Sequence, residues 1–170
     1  LAAGAALAFA IYAQVSALVL LPILALWLLR VAPRRLARPW PYAGLLVALV
    51  LLLPLLAWCR AHPDNPFAFQ LGGRHELRAN PGHLLQFAGY QILLASPVLA
   101  VLAVALGASL LRNGWRRAEP GPLLAGLSSI GVLACFALHA ATHRRFLGHW
   151  TIPAYVLIIP VAGAWLGGAS

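Results

Sequence analysis

The chain has few charged residues, and this scarcity excludes most soluble proteins. Only 9% of its 170 residues are charged, 62% are hydrophobic, and the mean hydropathy is +0.87. Soluble globular domains carry about 25% charged residues. The composition therefore predicts an integral membrane protein with membrane lipid as its surroundings, and no stretch is long enough for a separate soluble domain.

Lysine is absent and acidic residues are rare, so the formal charge of +9 comes from arginine alone. A basic chain can indicate nucleic-acid binding. These arginines flank apolar runs instead of forming one solvated face, so we expect no nucleic-acid partner. The carboxylates are Asp64, Glu76 and Glu119, and none has a partner at a spacing typical of acid–base catalysis. We interpret Asp64 as the cap of a turn at Asp-Asn-Pro.

Methionine is absent and only two cysteines, Cys59 and Cys135, are present. Without a methionine, we expect the chain to be a fragment that lacks a preceding part. The cysteines lie in or beside apolar runs, which favours two small apolar residues over a disulfide. His139, His143 and His149 lack a carboxylate or cysteine that would complete a zinc site. We predict no cofactor and no metal site, and a divalent cation stays an unsupported alternative.

Long apolar runs are abundant, and they predict an all-α, polytopic transmembrane bundle of about five to six membrane helices with short interfacial helices. The run Leu1–Leu29 would be about 43 Å long as one helix, which exceeds the roughly 30 Å hydrocarbon core. Its polar centre favours a hairpin that turns near Gln14. The other predicted spans are Tyr42–Trp58, Ser96-Pro97 to about Leu111, Pro122–Ala141 and Ile152–Gly168. Residues 1–170 form one predicted transmembrane domain, and Gly163 and Gly167 form a GxxxG pair that indicates close packing.

Two arginine-rich segments, Arg30–Pro41 and Arg112–Pro122, alternate with two polar stretches, Arg60–Gly82 and Thr142–Tyr155. The arginine-rich segments hold seven of the twelve arginines and the polar stretches hold five. The positive-inside rule then places the arginine-rich segments in the cytoplasm. It places the polar stretches on the extracytoplasmic face of the plasma (inner) membrane.

The stretch Arg60–Gly82 contains two helix-start signals, Asn65-Pro66 and Asn80-Pro81. The second predicts an interfacial helix to about Ser96. Three polar residues of that helix fall on one face, namely His83, Gln86 and Tyr90. Arg74 and His75 are candidate substrate-binding residues in this stretch, which we interpret as an ordered lid near the lipid surface.

The stretch Thr142–Tyr155, THRRFLGHWTIPAY, concentrates the polar chemistry of the chain between two apolar runs. Arg144 and Arg145 offer guanidinium groups that can grip phosphate oxygens, and the indole of Trp150 can stack on a sugar. His149 is a further candidate for phosphate binding. The alternative, an interfacial belt of arginine and aromatic residues, explains each residue separately.

The order of these features resembles the C-terminal part of the transmembrane core of GT-C glycosyltransferases, which include lipid A aminoarabinose transferases and protein O-mannosyltransferases. LAAGAALAFAIYAQVSALVLLPILALWLL is similar to the glycine-rich helical hairpin of the family. PWPYAGLLVALVLLLPLLAWCRAHPDNPFAFQ resembles its next span and external loop. GHLLQFAGYQILLASPVLAVLAVAL resembles its interfacial helix and Ser-Pro span, and HRRFLGHWTIPAY resembles its basic loop with Pro-x-Tyr.

The resemblance implies transfer of a sugar from a polyprenyl-phosphate-linked donor to an acceptor on the extracytoplasmic side. It also implies that the catalytic acid lies in an earlier external loop, so we predict no catalytic residue here. Tyr155, in the Pro-x-Tyr motif, and Gln14, at the hairpin apex where the family often has lysine, are implied substrate-binding residues. The alternative is a non-enzymatic polytopic membrane protein, such as a transporter or an assembly subunit.

Overall fold

A computed structural model describes residues 1–65, 67–68, 82–142, 151–156 and 158–167, and these ranges contain helices and turns but no strand. The helices are α1 (Ala2–Ala13), α2 (Leu20–Val31), α3 (Trp40–Ala61), α4 (Gly82–Ala95), α5 (Pro97–Arg117), α6 (Pro120–Thr142), α7 (Ile152–Val156) and α8 (Ile158–Gly167). Short 3₁₀ helices, Val15–Val19 and Pro33–Ala37, precede and follow α2, and residues Leu127–Gly131 form a π-helical turn inside α6. The prediction of an all-α fold is confirmed.

Within the described ranges, three helices are long and apolar enough to cross a membrane, namely α3, α5 and α6. Shorter apolar helices are Ala2–Ala13, Val15–Val31 and Ile152–Ala164. Many aliphatic side chains on the outer surface are highly exposed, and Leu93, for example, is 83% exposed. An apolar exterior of this kind suits lipid, because hydrocarbon does not penalise exposed aliphatic groups as water does. The chain is therefore a helical membrane protein.

Ser96 separates α4 from α5, as the Ser96-Pro97 pair predicts. Its backbone has a positive φ of 69°, its Oγ accepts a hydrogen bond from the Leu99 N–H at 3.3 Å, and Pro97 occupies the first turn of α5. The predicted end of α5 near Leu111 is wrong, since the helix continues to Arg117. Arginine and asparagine are compatible with a helix, and the helix ends only at Ala118, which is left-handed and lies just before Pro120.

The helices α5 and α6 form a tight antiparallel hairpin. A Cβ at Gly114 would overlap the backbone of Leu123, and a Cβ at Gly126 would overlap the backbone of Leu111. Farther along, the Ser129 hydroxyl donates to the Ala103 carbonyl at 3.1 Å. The buried core next to this hairpin consists of Ile23, Ala103, Leu123, Leu127, Val132, Ala154, Tyr155 and Ile158.

The helices α1 and α3 run side by side in the same direction. A Cβ at Gly4 would overlap the Gly44 carbonyl, and the Tyr12 hydroxyl donates to the Leu51 carbonyl at 3.0 Å. By contrast, no atom of the described chain lies within 4 Å of a Cβ built at Gly163. The close packing expected of the GxxxG pair is therefore wrong at Gly163, and it occurs instead at glycines that the motif does not include.

Candidate functional site

The hairpin of α1 and α2 turns at Gln14, as its isolated polar position predicts. The residue is extended, with φ −158° and ψ 118°, and its N–H still donates to the Ala10 carbonyl at 2.9 Å. Because Tyr12 contacts Leu51 near the middle of α3, this turn lies at about half the depth of the bundle. Buried polar atoms at the turn, Gln14 Nε2 and Ser16 Oγ, have no hydrogen-bond partner among the described residues. Such atoms cost free energy unless water or a ligand satisfies them.

A cavity of about 360 Å³ lies against Gln14. Its walls come from the hairpin, from α6 and from α7, and they consist of Gln14, Leu20, Ile23, Leu24, Leu124, Ser128, Ile152, Pro153 and Val156. The lining is mostly aliphatic, with one amide and one hydroxyl. Apolar walls with a few convergent polar groups are typical of ligand sites.

A buried hydrogen-bonded cluster joins α4 to α7. The Gln91 Oε1 atom accepts a hydrogen bond from the Thr151 hydroxyl at 2.6 Å and another from the Tyr155 hydroxyl at 2.9 Å. The three residues are only 5%, 0% and 7% exposed, respectively. An amide oxygen has two lone pairs, so both acceptor positions are filled. The cluster therefore fixes the first turn of α7 on α4.

This cluster fixes one end of the polar stretch Thr142–Tyr155. Thr151, the first described residue after 143–150, belongs to the cluster. At the other end, the Thr142 hydroxyl donates to the Leu138 carbonyl at 2.8 Å in the last turn of α6, and this part of α6 packs on α4. The two residues that flank 143–150 therefore belong to parts of the chain that contact α4: Thr142 ends α6, and Thr151 bonds to Gln91.

The predicted site residues fall into two groups. Gln14 lines the cavity, while Tyr155 directs its hydroxyl to Gln91 and its neighbours Ile152, Pro153 and Val156 face the cavity. The remaining candidates lie outside the described residues, namely Arg74, His75, Arg144, Arg145, His149 and Trp150. The structure therefore brings Gln14 and the residues that follow Trp150 to one cavity.

Sequence reasoning missed Gln91, which lies on the buried face of α4. Gln86 and Tyr90 of the predicted polar face are exposed, whereas Phe87 and Gln91 are buried. Helical spacing groups residues by face, but it does not show which face meets the bundle. The available signal was Gln91 itself, because a glutamine one turn after Phe87 in an apolar helix needs a hydrogen-bond partner.

The start of the stretch Arg60–Gly82 is ordered by capping contacts. Asn65 Oδ1 accepts a hydrogen bond from the Ala68 N–H at 2.8 Å, which is the helix cap that Asn65-Pro66 predicts. Its Nδ2 also donates to the Cys59 and His62 carbonyls at 2.8 and 2.7 Å. Asp64 lies in the turn directly before this cap, and its role as the cap of the Asp-Asn-Pro turn stays a prediction.

The two arginine-rich segments meet at one end of the bundle. The Arg30 Nη2 atom donates to the Trp115 carbonyl at 2.6 Å, and the guanidinium carbon lies 5.8 Å from the centre of the Trp115 ring. The Trp27 indole N–H donates to the Pro120 carbonyl at 2.8 Å. Because α5 spans about 30 Å, the Ser96 end of this helix lies far from these arginines.

Groups suited to metal binding are not brought together in the part of the chain that the structure describes. No three His, Cys, Asp or Glu side chains cluster among those residues, and His143 and His149 lie outside them. Glu119 instead lies 3.7 Å from the Arg117 guanidinium in an exposed pair. Cys59 and Cys135 are free thiols.

These features define a polytopic helical membrane protein with a partly polar cavity at the hairpin turn. No protein-family model, curated protein or solved structure matches the chain. Its function must therefore be inferred from the cavity and from the residues beside it.

Proposed function

We propose that the chain is the transmembrane part of a GT-C type glycosyltransferase that takes a sugar from a polyprenyl-phosphate-linked donor. One observation carries this proposal. The cavity at Gln14 is shared by the hairpin turn and by Ile152 and Pro153, near the end of the polar stretch Thr142–Tyr155. In the GT-C resemblance, these are two of the segments that contact the donor.

The chemistry of the cavity suits an amphiphilic donor. Its aliphatic walls favour an isoprenoid chain, and Gln14 Nε2 is a buried hydrogen-bond donor without a partner among the described residues. Arg144 and Arg145 supply guanidinium groups for a phosphate, and Trp150, next to Thr151, supplies an indole for the sugar or the isoprenoid. His149, Arg74 and His75 complete the proposed set of donor-binding residues.

Arginine distribution supports an extracytoplasmic site. The arginine-rich segments lie together at one end of the bundle, which the positive-inside rule assigns to the cytoplasm of the inner membrane. The polar stretch Arg60–Gly82 begins at the end of α3 that lies away from the arginine-rich segments. The helix α4 likewise leads into the end of α5 that lies away from them. The proposed site residues of this chain then bind and position the sugar donor, since the family keeps its catalytic acid in an earlier external loop.

A transporter is the second candidate, and the depth of Gln14 favours it. Polar groups near the middle of membrane spans are typical of translocation paths, and Gln14, Ser16 and Ser128 occupy such positions. Transport and transfer differ in their products. A transferase releases polyprenyl phosphate and a glycosylated acceptor, whereas a transporter leaves the sugar–phosphate bond intact.

Transfer of a labelled sugar from a polyprenyl-phosphate donor by the purified full-length protein tests the proposal. Changing Arg144→Gln or Arg145→Gln should lower kcat/KM about tenfold to a hundredfold, because each removes a charge-assisted contact worth about 1.5–3 kcal/mol. Arg145→Lys should recover only part of the loss, since lysine keeps the charge without the bidentate fork. Arg117→Gln, at the other end of the bundle, is the matched control and should retain normal transfer.

Normal transfer by the Arg144→Gln/Arg145→Gln double variant, at an unchanged yield of folded protein, would show that these arginines form only an interfacial belt. Uptake of the intact donor without cleavage would support the transporter instead.

A further inference from the structure

A second apolar groove lies along α2, next to the Gln14 cavity, and Leu24 lines both spaces. It has a volume of about 560 Å³ and runs between α1, α2 and α3. Among its lining residues are Gly4, Leu7, Leu24, Leu28, Trp40 and Gly44. Aliphatic and aromatic walls of this kind fit a hydrocarbon chain.

The groove opens into a basic cleft at the arginine-rich end. This cleft has a volume of about 400 Å³ and is lined by Leu28, Arg35, Arg38, Trp40 and Pro41. The groove and the cleft share Leu28, Trp40 and Pro41, so the two spaces adjoin. An apolar slot therefore leads directly to two exposed guanidinium groups.

The charge of this cleft is not balanced by carboxylates in the described part of the chain. Glu119 pairs with Arg117, and Asp64 lies beyond the opposite end of α3, which spans about 33 Å. Glu76 lies outside the described residues. Within the described ranges, neither Arg35 nor Arg38 has a salt bridge or a side-chain hydrogen bond. A ligand with an acidic headgroup would supply the missing counter-charge.

We propose that the groove and the cleft together bind one anionic glycerophospholipid. An acyl chain lies between α1, α2 and α3, and the headgroup phosphate contacts the Arg35 and Arg38 guanidinium groups. Trp40 lies where both spaces meet, as expected of an aromatic residue at the headgroup level. Leu24 lines both this groove and the Gln14 cavity, but the lipid site does not depend on the glycosyltransferase proposal.

Native mass spectrometry of the full-length protein, released from nanodiscs that contain phosphatidylglycerol and phosphatidylcholine with identical acyl chains, tests the headgroup contact. One phosphatidylglycerol should be retained preferentially. Arg35→Gln and Arg38→Gln should each lower its retention about fivefold, the effect expected for one basic residue near an anionic lipid. Arg34→Gln is the matched control, because Arg34 belongs to the same 3₁₀ turn but does not line the cleft. An equal loss for Arg34→Gln would overturn the site and indicate general attraction to anionic lipid.

A second measurement tests the groove. Nothing in the described chain lies within 4 Å of a Cβ at Gly44, so Gly44→Leu should fold and should occupy part of the groove. It should lower phosphatidylglycerol retention, whereas Gly163→Leu, at another open glycine, should not. Competition by soluble glycerol 3-phosphate as effective as that of phosphatidylglycerol would contradict the role of the acyl chain. Preferential retention of polyprenyl phosphate over phosphatidylglycerol would contradict the lipid class.

Discussion

Gln91 connects two helices through a single atom. Both hydroxyls of the cluster donate to its Oε1, while Gln91 Nε2 has no partner among the described residues. In membrane proteins, side-chain hydrogen bonds between helices contribute about 0.6 kcal/mol on average and at most about 1.7 kcal/mol. The spare N–H opposes this gain. We therefore expect Gln91 to fix the position of α7 more than to stabilise the bundle.

A double-mutant cycle measures this connection without interference from the spare N–H. Gln91→Leu and Tyr155→Phe should show a coupling free energy of about 0.5–1.5 kcal/mol for unfolding in detergent, because either change removes the same hydrogen bond. Tyr12→Phe is the control for Tyr155→Phe, since the Tyr12 hydroxyl bonds to Leu51 on α3. Additive effects of Gln91→Leu and Tyr155→Phe would show that the bond does not couple the two helices.

At the scale of helices, the α5–α6 hairpin depends on close approach of the two backbones. Gly126 touches Leu111, whereas Gly121 in the same helix has open space around its Cβ position in the described chain. Gly126→Ala should destabilise the protein by about 1–3 kcal/mol, the usual cost of forcing atoms into a packed contact. Gly121→Ala should change stability little or raise it slightly, because alanine favours a helix.

Thermal unfolding of the two variants in the same detergent gives the comparison. Equal unfolding temperatures for Gly126→Ala and Gly121→Ala would mean that α5 and α6 do not pack as closely as described.

The sequence predicts those helices whose signal is local. Hydropathy locates α3 and α6, Ser96-Pro97 locates the break before α5, and Gln14 locates the hairpin turn, because each signal lies within a few residues. The contacts of Gly4 with Gly44, and of Gln91 with Thr151 and Tyr155, join residues 40 or more positions apart. They depend on which helices are neighbours, which one sequence does not encode locally.

At the scale of the whole molecule, the proposed function requires the arginine-rich end to lie in the cytoplasm. Arg30, in one arginine-rich segment, donates to the Trp115 carbonyl in the other, and α3 leads from that end of the bundle to His62. In a background without Cys59 and Cys135, Arg34→Cys and Arg116→Cys should react only with a reagent that reaches the cytoplasm. His62→Cys should react from outside the cell. Labelling of residue 34 by an impermeant external reagent would show the opposite orientation, with the polar stretches in the cytoplasm.

The Gln14 cavity is the centre of the proposed function, because it joins the hairpin turn to the polar stretch Thr142–Tyr155. A donor in this cavity should meet both the apolar walls and the spare N–H of Gln14. Gln14→Leu keeps the apolar walls of the cavity and removes the side-chain N–H. It should therefore weaken binding of the polyprenyl-phosphate-linked sugar while leaving the fold intact. The matched control is Gln86→Leu, because Gln86 is an exposed glutamine on α4.

Photocrosslinking of the full-length protein with a photoreactive polyprenyl-phosphate sugar tests this claim most directly. We expect labelled peptides that contain Gln14 or the segment Ile152–Val156. Excess unmodified donor should abolish the labelling, and Gln14→Leu should reduce it, whereas Gln86→Leu should not. Labelling confined to segments outside the hairpin turn and residues 143–156, or labelling that excess donor does not reduce, would contradict this claim.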